Sequence, residues 1–255
     1  MLNEIQELNK EIIACKKCSL WKSRTKVVCG MGDSNCKLML IAQAPGEKED
    51  KEGTMFIGPS GKVLEELLKH AKITREEIYM TNLVKCMLPR NRKPKQEEIE
   101  ACSSYLDEEI RIVNPSIIST LGYYSTKYIF KEYSIPFLQS RKGISEVFGK
   151  LFIVANKKIL PLGHPASILH NDSLREKMIK AYKKLQVVMT DCKWFPTCPL
   201  KRFYEKGLLE EKWIENYCKG DWESCKRYQM EEKGEYHSDY MLPNGRINEL
   251  LKNKP

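Results

Sequence analysis

LMLIAQAPGEKEDKEGTMFIGPSGKVLEELL, residues 38–68, starts as an apolar run and ends as a helix. Residues 38–43, LMLIAQ, are bounded by charge on one side and by Pro45 on the other, which predicts a short buried strand. The turn Gly58-Pro59-Ser60-Gly61 opens a helix expected from 62 to about 70. Between them lie an acidic group and one isolated aromatic, Phe56. Strand, glycine-rich loop, helix is the opening unit of an α/β sheet.

The pattern repeats along the chain. Residues 78–86, 115–122, 150–155 and 158–165 predict further strands. Residues 2–14, 96–113, 124–132 and 172–188 predict helices, the first with Leu2, Ile5, Leu8, Ile12 and Ile13 on one face. Strands alternating with helices give the α/β class, here a three-layer α/β/α arrangement around a central, mostly parallel sheet. Functional loops of such sheets sit at the carboxyl ends of the strands. AQAPG, TNLVKC and GHPAS occupy those places.

Composition sets the bounds. The chain has 255 residues, 42% hydrophobic, with a formal net charge of +9. No stretch approaches the ~18 apolar residues of a membrane span, and the acidic start MLNEIQELNK lacks the marks of a secretory signal. A cytoplasmic monomer is expected, without membrane attachment. Acidic and basic side chains balance over 191–255, so the whole excess lies on 1–190. That excess fits either a polyanion partner or a Lys-rich solvated surface. Near residue 190 the character changes, and DCKWFPTCP opens a short, charged, aromatic segment. Residues 1–190 are read as the main domain and 191–255 as a small module, whose limited core calls for a metal staple.

Ten cysteines in a chain with no secretory signal suggest metal or cluster ligands rather than disulfides. Cys15-x2-Cys18 aims two thiols at one point, and Cys86 and Cys102 flank the Pro- and Arg/Lys-rich segment MLPRNRKPKQEEIEA. These four can hold zinc or an iron–sulfur cluster, and spacing does not decide between them. Cys192-x5-Cys198 and Cys218-x6-Cys225 form a second set of four, again for zinc or a second cluster. Cys29 and Cys36 flank GMGDSN and are read as unligated thiols on a turn.

Taken in order, AQAPGEKED, FIGPSGKVLEELL, YMTNLVKCMLPRNRKP and GHPASIL, together with C-x2-C, C and C, resemble the family-four uracil-DNA glycosylases, the iron–sulfur class of bacteria and archaea. The resemblance covers roughly residues 5–188. It implies a 4Fe-4S cluster on Cys15, Cys18, Cys86 and Cys102, a uracil-containing DNA substrate, and hydrolysis of the N-glycosidic bond on a flipped-out base. It implies catalytic roles for His164, donating to the developing uracil anion, and for Asn82, reading the base edge. Gln43, Ala44 and Gly46 would line the base, Phe56 would stack on it, and Gly58, Ser60 and Ser167 would meet phosphate. Arg90, Arg92, Lys93 and Lys95 would face DNA, and Leu169 or Ile168 would fill the vacated stack. Glu49 and Asp50 would orient loop amides.

The chain departs from the family where Gly-Glu-Ala becomes Ala42-Gln43-Ala44. No carboxylate there is placed to activate water, which a dissociative reaction tolerates. A relative that bonds covalently to DNA through a loop His has no counterpart here, because QSRKGISEVFGK (139–150) contains none. Two other readings are a nucleic-acid-binding protein of this fold with altered or absent catalysis, and a tail that docks a protein partner or serves redox chemistry.

Overall fold

Six strands make one sheet: β1 (Met31–Gly32), β2 (Leu38–Ala42), β3 (Ile78–Asn82), β4 (Ile117–Leu121), β5 (Phe152–Val154) and β6 (Lys157–Leu162). Their order is β1-β3-β2-β4-β6-β5. β2, β3 and β4 are buried along their whole length, which is why they read as unbroken apolar runs rather than alternating ones. In this computed structural model, which describes residues 2–136, 145–154 and 157–252, the four inner strands are parallel. Leu38 stands opposite both Ile78 and Ile117, and Ala42 opposite Asn82, so the strands end together on one edge. Only β1 and β5, at the two sides, run antiparallel. The buried hydroxyls of β4 are satisfied: Ser119 donates to the Leu160 carbonyl at 2.7 Å, and Thr120 pairs with Thr126 at 2.8 Å.

Among the described residues, the helices that accompany the sheet include α1 (Leu2–Ala14), α2 (Glu47–Glu52), α3 (Pro59–His70), α4 (Gln96–Val113), α5 (Tyr123–Glu132), α6 (Ala166–His170) and α7 (Arg175–Met189). α1 lies against α4, and α3 against α6. Ile12, Leu20, Met39, Ile41, Leu106, Ile118 and Phe130 share one apolar core.

Several boundaries differ from the sequence expectation. α3 begins at Pro59, not 62, because proline suits the first helical position and its missing N–H costs nothing there. The acidic stretch 47–52 is a helix, with three carboxylates in its first turn. Residues 83–86 leave the β3 ladder, and Asp172–Leu174 is a separate 3-10 turn before α7. Of the segment 139–150, residues 139–144 lie outside the described residues, as does Ala155. Among the described residues no helix is long and apolar enough to cross a membrane.

The chain divides into two compact units, Met1–Lys184 and Leu185–Pro255. The division falls before residue 190 because α7 runs through it to Met189. The second unit has its own small core of Leu200, Phe203, Leu209, Ile214, Leu242 and Leu251, into which Cys218 packs.

Candidate active site

At the carboxyl ends of β2, β3 and β6 the first unit opens into a cavity of about 580 Å³. Its wall includes Gln43, Ala44 and Gly46 after β2, Asn82 at the end of β3, and His164 after β6. Phe56, Gly58, Ser60 and Leu169 complete the set expected from sequence. Ser167 is not in the wall; its amide donates to the His164 carbonyl at 2.9 Å and turns the chain into α6. Sequence reasoning did not single out Met55, Leu88, Asn91, Ala166 or His170, which also face the cavity.

His164 is held in a defined tautomer. Its Nδ1 accepts the Ala166 amide at 3.1 Å, so the neutral ring carries its proton on Nε2. Burial pushes its pKa down to about 4, against a smaller upward pull from Glu49. The ring is therefore a neutral donor at ordinary pH. Gly122, at φ +92° after β4, makes room for it: a Cβ there would lie 3.1 Å from the His164 Cβ.

Asn82 is 2% exposed, and its Nδ2 donates to the Met55 Sδ at 3.0 Å. Its carbonyl accepts the Lys85 ammonium at 2.8 Å. Lys85 also donates to Thr81 and to the carboxylate of Glu109, and both members of that ion pair are buried. Thr81, Tyr79 and the Gly30 amide donate to Glu109 as well. The end of β3 is thus fixed by a closed polar network beneath the pocket.

Phe56 sits at φ 53°, in the left-handed region, and is buried. Its carbonyl is gripped by Arg75 at 3.0 Å, which also takes the Gly61 carbonyl. A Cβ on Gly61 would fall 1.8 Å from that same Phe56 carbonyl, so only glycine fits. The acidic residues have local tasks: Glu49 accepts the Gly58 amide at 2.8 Å, and Asp50 accepts the Thr25 amide. Arg92 binds Glu98 through both Nη atoms, so its charge is matched inside the loop, while Arg90 and Lys93 are exposed. Leu169, in the cavity wall, is 50% exposed, and Ile168 is buried.

Cys15, Cys18, Cys86 and Cys102 line a second cavity with Ile12, Val84 and Tyr105. The Arg24 Nη1 donates to the Cys86 Sγ at 3.2 Å, and the Lys85 amide to the Cys102 Sγ at 3.2 Å. Donors aimed at sulfur suit ligated thiolates. Among the described residues no three His, Cys, Asp or Glu side chains stand close enough to hold a single ion. Cys29 and Cys36 are apart from this set, with burial pushing each thiol up to about 11. Residues 31–32 between them form β1 rather than a plain turn.

An α/β sheet with a cavity at the ends of its parallel strands, and four cysteines around a second cavity, defines a class that the comparisons make specific. The description "Uracil DNA glycosylase superfamily" fits residues 29–186. A Type-4 uracil-DNA glycosylase of Sulfurisphaera tokodaii is 40% identical over 190 residues, 72% of this chain and 84% of the relative. One from Saccharolobus solfataricus is 38% identical over 194 residues, 74% of this chain and 88% of the relative. One from Archaeoglobus fulgidus is 34% identical over 188 residues, 72% and 92% respectively. The chain belongs to the uracil-DNA glycosylase superfamily.

Proposed function

We propose that this protein excises uracil from DNA by hydrolysing the N-glycosidic bond, leaving an abasic site. The observation that carries the reading is the meeting of His164, Asn82 and Phe56 around one cavity. Its volume lies within the range of small-ligand sites and suits a flipped base.

Breaking the bond leaves negative charge on the departing base. The His164 Nε2–H is the donor set to meet that charge, at the uracil O2. The Asn82 side chain releases Met55 and turns its amide to the base, donating to O4 and accepting from N3–H. Cytosine presents the reverse pattern along that edge and is refused. The Phe56 ring stacks on the base, and its rigid backbone keeps the platform in place. Gly58 and Ser60, at the start of α3, meet the DNA backbone, and Leu169 enters the gap in the stack. Gln43 stands where the family carries Glu, and its amide presents a donor and an acceptor to the cavity without a charge.

Cys15, Cys18, Cys86 and Cys102 would hold a 4Fe-4S cluster. Their shared cavity and their sulfur-directed donors support it. Such a group supplies a rigid four-point cross-link, and no redox step enters the reaction. The residues themselves hold the basic loop 86–102 against the end of α1, through Arg24 and the Ile13 and Cys15 carbonyls.

The test is a DNA oligonucleotide with a single uracil, incubated with the protein and then treated with alkali. Free uracil and alkali-dependent cleavage are expected. Tight binding without base release would overturn the reading in favour of a non-catalytic member of the fold.

A further inference from the structure

We propose that Cys192, Cys198, Cys218 and Cys225 hold a second iron–sulfur cluster, built entirely within the C-terminal unit. The site is independent of the uracil reaction, and the superfamily match ends at residue 186.

Four segments of the unit bring the thiols together. The Cys192 amide donates to the Cys218 carbonyl at 2.7 Å. Cys198 precedes the helix Pro199–Glu205, whose Leu200 and Phe203 pack in the same small core as Cys218. Cys225 precedes the helix Lys226–Glu231, and the turn Trp222–Ser224 before it lies against the π-helical turn Ile214–Cys218. Cys198 packs against the core that holds Cys218.

Arg227 supplies an independent observation. It is 3% exposed, and its Nη1 donates to the carbonyls of Ser238, Asp239 and Met241. Among the described residues its Nε is buried without a partner, and its printed acceptors are carbonyls, so the buried guanidinium calls for a counter-charge. Arg227 follows Cys225 by two residues, on the helix that Cys225 precedes. Four thiolates around a metal group provide the missing negative charge and an acceptor side for that N–H. The first unit repeats the device, with Arg24 on the Cys86 sulfur.

Cys198 is followed at once by Pro199, as the last cysteine of bacterial cluster runs is, and on that ground the group is read as a cluster. A four-iron cluster ties each cysteine to a different iron.

The full-length protein, purified without oxygen, is assayed for iron, acid-labile sulfide and zinc. About eight irons and about eight sulfides per chain are expected, four of each per set. The double variant Cys198→Ser/Cys225→Ser is expected to lose half of both and to keep releasing uracil. Cys86→Ser/Cys102→Ser is expected to lose the other half. One zinc per chain that disappears in the C-terminal variant would overturn the proposal, as would an iron content unchanged by that variant. If the variant fails to fold, the wild-type protein still decides: no more than four irons per chain, remaining after Cys86→Ser/Cys102→Ser is compared, or any stoichiometric zinc, would sink it.

Discussion

The donor role proposed for His164 depends on its neutrality, and neutrality has a pH signature. An unfolded histidine takes up its proton near 6.5, whereas the folded ring does so only at about 4. Between those values the unfolded chain holds the extra proton, so His164 makes stability rise with pH across that window. The contribution is complete above 6.5 and is lost as pH falls toward 4. Urea unfolding of the wild type should show this slope, and His164→Ala should flatten it. The same variant should slow single-turnover uracil release by ~10²–10³, the usual loss for one well-placed anion donor. Asn82 tests the other half of the site. Asn82→Asp, protonated in its buried setting, presents a donor to N3 and an acceptor to the amino group of cytosine. Release of cytosine from an oligonucleotide, measured beside a reduced uracil rate, is the expected outcome.

At the scale of elements, the end of β3 is the most constrained place in the first unit. Lys85 ties Thr81, the Asn82 carbonyl and Glu109 together. Lys85→Met would leave Glu109 buried without its partner, at a cost of about 3–5 kcal/mol. Lys85→Met/Glu109→Leu should recover part of that loss, and urea midpoints of the three proteins measure it. The network was illegible in the sequence because its members are far apart and each looks like ordinary surface charge. The parallel strands were legible for the opposite reason: Leu38–Ala42, Ile78–Asn82 and Ile117–Leu121 are buried on both faces and carry their apolar runs openly. β1, two residues long, has no such run. His164 and Asn82 could be found because strand ends mark them and a motif frames them. Met55 and Asn91 could not, since only folding carries them to the wall. Glu49 and Asp50 look misplaced beside a polyanion until their backbone partners are seen.

Over the whole molecule the charge is unevenly placed. The +9 excess belongs to residues 1–190, and 191–255 is balanced. DNA affinity should therefore fall linearly on a log–log plot against salt. Neutralising exposed Arg90 and Lys93 should lower the slope by roughly one for each phosphate contact removed. Equal slopes for that variant and the wild type would remove the loop 86–102 from the interface. The two cavities of the first unit also differ in how much chain they need. Every residue walling the four-cysteine cavity falls between Ile12 and Tyr105, whereas the base pocket draws on residues from Gln43 to His170. During synthesis the thiols are thus all present well before the strand that delivers His164 has been made. Under the proposed cluster assignment, iron supplied to the growing chain would meet its ligands before the base pocket is complete.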